Sequence, residues 1–67
     1  MDVPLEDQIA CVARELAMRK VVYPRRVAAG QMTQIKADAE VIRMQAVMDT
    51  LVICKAARDE NLRERPE

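Results

Sequence analysis

Apolar residues recur along the first third of the chain at Leu5, Ile9, Val12 and Leu16, then at Tyr23 and Val27. Steps of three and four residues place them on one stripe of a helix. Pro4 is tolerated in a first helical turn, and Glu6 and Asp7 suit the positive end of the helix dipole. Pro24 lacks an N–H and crowds the carbonyl of Lys20. A kink near Pro24 is expected rather than a stop, because Val27, Ala28 and Ala29 keep helical chemistry up to Gly30. The first helix therefore spans about residues 4–29. Gly30, the only glycine, stands where a left-handed residue closes a helix. Gln31 and Met32 form the joint, Thr33 is the natural N-cap of a second helix, and Met32 is placed to staple against Ala37.

The second helix, about residues 34–61, carries two apolar stripes. At roughly 100° per residue, Ile35, Ala39, Ile42, Ala46, Ile53 and Ala57 cluster on one side. Val41, Met44, Met48, Leu51 and Val52 cluster nearly opposite. The short joint makes the two helices an antiparallel hairpin. One partner helix covers only one stripe, so the other needs a second chain or a different protein. The expectation is an all-α helical hairpin that forms a homodimer, a four-helix bundle, with Val41, Met44, Met48, Leu51 and Val52 as the contact residues. Symmetric dimers are the commonest oligomers, which favours self-association over a foreign partner. Residues 1–62 read as one domain, and the charged tail 63–67 is expected to fray.

Composition narrows the chemistry. The 67 residues are 51% hydrophobic and include ten alanines, three prolines, one aromatic and no histidine. Serine, phenylalanine and tryptophan are also missing. Histidine-based catalysis, a histidine metal site and an aromatic platform for bases are thereby excluded. No enzyme activity, cofactor or metal is expected. A chain this short has a marginal core, which makes oligomerisation the natural source of further stability.

Cys11 and Cys54 are the only soft nucleophiles. In a hairpin turning near residue 31 or 32 they lie within about a turn of each other. Without a histidine to assist them, they read as small packing residues in a reducing cytoplasm. Asp38 and Glu40 do not share a face, since positions two apart diverge on a helix. Asp49, at the edge of the isoleucine stripe, is expected to pair with Arg19 or Lys20 across the hairpin.

Eleven basic side chains balance eleven acidic ones, so net charge exerts no pull toward nucleic acid or membrane. The distribution is uneven: residues 1–10 carry −3 and residues 14–26 carry +4. Arg19, Lys20, Arg25 and Arg26 surround Tyr23 and form a candidate nucleic-acid contact, the alternative to a protein-interaction module. Cations near a helix C-terminus are also favoured by the dipole alone. The acidic start occupies the place of a positive signal-peptide region, and no apolar run is long enough for a membrane span. A soluble, cytoplasmic protein without a membrane partner is expected.

The string REL-x-MR-x-x-VYP-x-x-V-x-x-G-x-M at residues 14–32, followed by ADAEVIRMQAVMDTL at 37–51, resembles a group of short helical proteins. Their genes lie in bacterial genomes and in phages or prophages. The resemblance covers roughly residues 8–52. It implies a phage-associated context and carries over no catalytic residue or cofactor.

Overall fold

In a computed structural model, described over residues 2–63, the chain is all-helical. Helix α1 spans Leu5–Ala28 and helix α2 spans Gln34–Arg63, and the two pack against each other as a hairpin. The tail expected to fray, residues 64–67 with the Arg63 side chain, lies outside the described residues.

Helix α1 begins without a side-chain cap. The Pro4 carbonyl accepts the N–H groups of Asp7 and Gln8 at 3.0 and 3.1 Å, while Gln8 Nε2 donates to the Val3 carbonyl at 2.8 Å. The helix continues through Pro24, in keeping with the expectation that the proline would not stop it.

Its C-terminus is closed by Gly30, whose φ of 74° lies in the left-handed region. The Gln31 N–H reaches back to the Arg26 carbonyl at 2.9 Å, and the Gly30 N–H to the Val27 carbonyl at 3.1 Å. This paired pattern satisfies carbonyls that the helix end would otherwise orphan, and it needs a residue without the Cβ penalty at positive φ. On the far side of the joint, Thr33 Oγ1 accepts the Lys36 N–H at 3.1 Å. That is the N-cap the sequence announces. Two helix ends are thus defined by local chemistry within four residues of each other, which forces the chain back on itself.

The core is thin. Leu16, 7% exposed, and Ala37, 3% exposed, are the only buried hydrophobic residues among those described. Around Leu16, α1 contributes half-buried Leu5, Ile9, Val12, Tyr23 and Val27; from α2 come half-buried Val41, Met44, Met48 and Leu51. The result is a rod of 59 × 21 × 18 Å with a radius of gyration of 16.3 Å. A compact domain of this length would have a radius near 11 Å. The rod exposes 5475 Å², whereas a globular chain of its mass would expose about 4,300 Å². Roughly 1,200 Å² of additional surface is therefore left in water.

Ion pairs fasten the two ends of the rod. Near the joint, the Arg19 guanidinium donates to the Glu40 carbonyl at 3.3 Å and lies 3.6 Å from the Glu40 carboxylate. It also sits over the Tyr23 ring, 5.9 Å from its centroid, at the outer limit of a cation–π contact. At the open end, Arg58 binds Glu6 across the hairpin and Asp59 beside it. Lys55 completes the cluster through Asp59 at 2.7 Å.

Candidate functional site

The two stripes of α2 are disposed the other way round from the sequence expectation. Val41, Met44, Met48 and Leu51, expected to meet another chain, are half-buried. With two helices in the described chain, α1 is what shields them, so they serve the hairpin's own core. Val52, the fifth residue of that set, lies at the margin and is 47% exposed. The uncovered stripe is the isoleucine one. Ile35 is 84% exposed, Ile42 67% and Ile53 68%. Ala46 and Ala57 between and beyond them are also exposed, with Ala39 partly shielded. Counted at about 100° per residue, this stripe lies roughly 160° around the helix from buried Ala37. It is therefore nearly diametrically opposite α1.

The ion pairs agree with this choice of face. Glu40 and Arg58 flank the methionine stripe, and they stand across the hairpin from Arg19 and Glu6. The isoleucine stripe has only Asp49 and Glu60 at its edge, and neither makes an ion pair among the described residues. With that stripe inward, Arg19 and Glu6 would lose their cross-hairpin partners, and Glu40 and Arg58 would face away. This charge register is the sequence signal that identifies the inward face.

Asp49 does not reach Arg19 or Lys20. Its carboxylate accepts a hydrogen bond from Gln45 Nε2 one turn earlier, at 2.9 Å, while Arg19 is engaged by Glu40. Asp49 is thus tied down on its own helix at the edge of the exposed stripe.

The four cations of the basic segment do not converge. Arg19 is half-buried and paired. Lys20 stands about 100° further round α1, and Arg25 about 140° beyond Lys20. Arg26 lies on the Arg19 side, next to a shallow recess formed with Glu15, Met18 and Val22. Spread around the helix, these side chains present no single face to a phosphate backbone. Lys20 instead lines an open groove of about 380 Å³ between the helices near the joint, whose walls include Tyr23, Pro24, Val41 and Ile42.

Cys11 and Cys54 are both exposed free thiols, not the packing residues expected from sequence. The carboxylates at the open end are perturbed by their partners. The hydrogen bond from Arg58 is the main cause that lowers the Glu6 pKa, with a backbone hydrogen bond second. Asp59 is lowered first by Lys55 and then by Arg58. The Arg58 guanidinium is raised in turn by Glu6 and Asp59. These groups are exposed, and their arrangement is that of a surface clamp. No helix among the described residues is long and apolar enough to cross a membrane.

No protein-family model, curated protein or solved structure matches the chain.

Proposed function

We propose that the chain is a non-enzymatic interaction module that self-associates through the isoleucine–alanine face of α2. The observation carrying this reading is the bare stripe of Ile35, Ile42 and Ile53, of which Ile42 also borders the groove beside α1. Aligned apolar side chains along one face favour a contact site over isolated exposed hydrophobics, which are ordinary on any surface. A dimer of standard size takes about 800 Å² from each partner, and the elongated rod offers a long side for it. Association would offset the thinness of a core with only Leu16 and Ala37 buried.

The placement of the face also bears on the shape of the assembly. A closed four-helix bundle buries the flank of both helices of each hairpin around one common core. A contact nearly opposite α1 instead sets the four helices in a row, with the two α2 helices central and each α1 outside. The proposed assembly is therefore a four-helix layer. A phage-related setting, suggested by the Tyr23–Pro24 and Gly30 elements of the sequence, is compatible with a small structural adaptor of this kind.

Sedimentation equilibrium or light scattering across micromolar concentrations tests the proposal. The expected result is a reversible monomer–dimer equilibrium shifted toward dimer. A monomer mass throughout that range overturns it.

A further inference from the structure

The spacing of the bare face carries information about how a second copy would sit on it. Large and small residues alternate along the stripe: Ile35, Ala39, Ile42, Ala46, then Ile53 and Ala57. Near the gap after Ala46 stand Asp49 and Thr50, the latter with its hydroxyl bonded back to the Ala46 carbonyl at 3.1 Å. A stripe of alternating knobs and hollows matches itself only in certain orientations.

Resting on the reading that this face is the contact, we propose that two copies pair their α2 helices antiparallel, with the two-fold axis passing at Ala46. In that register Ile35 faces the partner's Ala57, and Ala39 faces the partner's Ile53. Ile42 faces the partner's Thr50, and Ala46 faces its own counterpart. Each isoleucine thus meets a smaller residue, as interdigitating layers require. The alanines let the two axes approach toward the short end of the usual 8–10 Å range. Helix overlap runs over about 25 residues, or roughly 37 Å.

Competing arrangements fit less well. A parallel pair stacks isoleucine on isoleucine and alanine on alanine, which leaves hollows beside each contact. In the antiparallel pair Asp49 lies beside Ile42 at the edge of the seam, where Gln45 already satisfies one of its oxygens. Moving the axis half a heptad toward the N-terminus opposes Ala39 to Ala46 and Ile42 to Arg43. Moving it equally toward the C-terminus carries Ile35 beyond the last turn of α2. Of these three axes, only the one at Ala46 opposes all three isoleucines to smaller residues.

The register makes Ala46 the most size-sensitive position of the exposed face. A larger side chain there would meet its own copy at the axis, although it projects freely from the single hairpin.

Cysteine cross-linking tests the inference in a background carrying Cys11→Ala and Cys54→Ala. Ile35→Cys and Ala57→Cys are made as separate variants and oxidised alone and mixed. The expected result is a covalent dimer from the mixture, and little from either variant alone. Self-linking of the Ile35→Cys chain indicates a parallel pair and overturns the proposal. Absence of every cross-link, in a chain still dimeric by light scattering, also overturns the register while leaving self-association intact. A chain that is monomeric by light scattering overturns self-association itself. As a second measurement, Ala46→Ile should weaken dimerisation at least tenfold with helix content kept at concentrations where wild type is monomeric. Unchanged dimerisation in that variant is inconsistent with an axis at Ala46.

Discussion

One face of α2 is built from Val41, Met44, Met48 and Leu51 and lies against α1; the other carries Ile35, Ile42, Ala46, Ile53 and Ala57, which lie bare, and the partly shielded Ala39. Their side chains differ in kind as well as in burial. Methionine is unbranched and adapts to an uneven neighbour, and the surface of α1 is uneven, mixing Leu16 with the Arg19 guanidinium and the Tyr23 ring. Isoleucine is held nearly to one rotamer in a helix, and alanine has no rotamer to lose. The outer face is consequently stiff and already shaped before it meets anything, which lowers the ordering cost of association. Apolar content alone does not separate the covered face from the bare one; the two differ in side-chain flexibility and in the charges beside them.

The sharpest challenge to this comparison is to weaken each face in turn. Leu16→Ala, opposite the methionine face, should lower hairpin stability by about 2–3 kcal/mol, the lower part of the range for a leucine truncation, because the core is thin enough to collapse around the gap. Urea denaturation followed by circular dichroism measures it. Since the monomer's stability is marginal, loss of most helical signal at low concentration is the expected appearance.

Ile42→Asp should do the reverse. Its side chain is largely in water in the single hairpin, so helix content under monomeric conditions should stay close to wild type. Dimerisation should fall by at least tenfold, read by sedimentation. If Ile42→Asp unfolds the monomer as Leu16→Ala does, the distinction between the faces fails.

Gly30→Ala probes the joint that presents the two faces. An added Cβ meets nothing within 4 Å, so the cost is that of the positive φ alone, about 1–2 kcal/mol. Thermal melting should show the loss without any change in the dimer constant corrected for folding.

The smallest effect belongs to the clamp at the open end. Glu6 and Asp59 have lowered pKa values in the folded chain, so their contribution is present above the carboxylate range of an unfolded chain. It is lost as pH falls through their folded values, which lie below the ordinary carboxylate range. Arg58 stays charged throughout. Melting temperature should therefore decline in acid, and Glu6→Gln should flatten part of that decline. Because the clamp is exposed, added salt should reduce its effect as well.

Much of the fold is legible in the chain because it is decided locally. Gly30 at positive φ, Thr33 as N-cap, the run through Pro24 and the stripe of Leu5 to Leu16 each depend on residues within a turn or two. The site is less legible. Both stripes of α2 are plain in the sequence, but hydrophobicity ranks them almost equally, and a rotation of α2 by half a turn exchanges them. Arg19 opposite Glu40 and Glu6 opposite Arg58 hold the answer, yet they are 21 and 52 residues apart. Their meaning appears only once the hairpin register is known. The basic segment misleads for a similar reason: neighbours in sequence diverge by about 100° on a helix, so four clustered letters become four directions.

The sequence by itself determines an α-helical hairpin with more apolar surface than one hairpin covers, since helix periodicity, capping and turn chemistry act over a few residues. The tertiary structure alone decided which stripe became the core and which was left exposed. That choice depends on the rotation of α2 about its own axis, set by the fit of side chains against α1 with the long-range ion pairs in agreement, and no local window of the chain contains it.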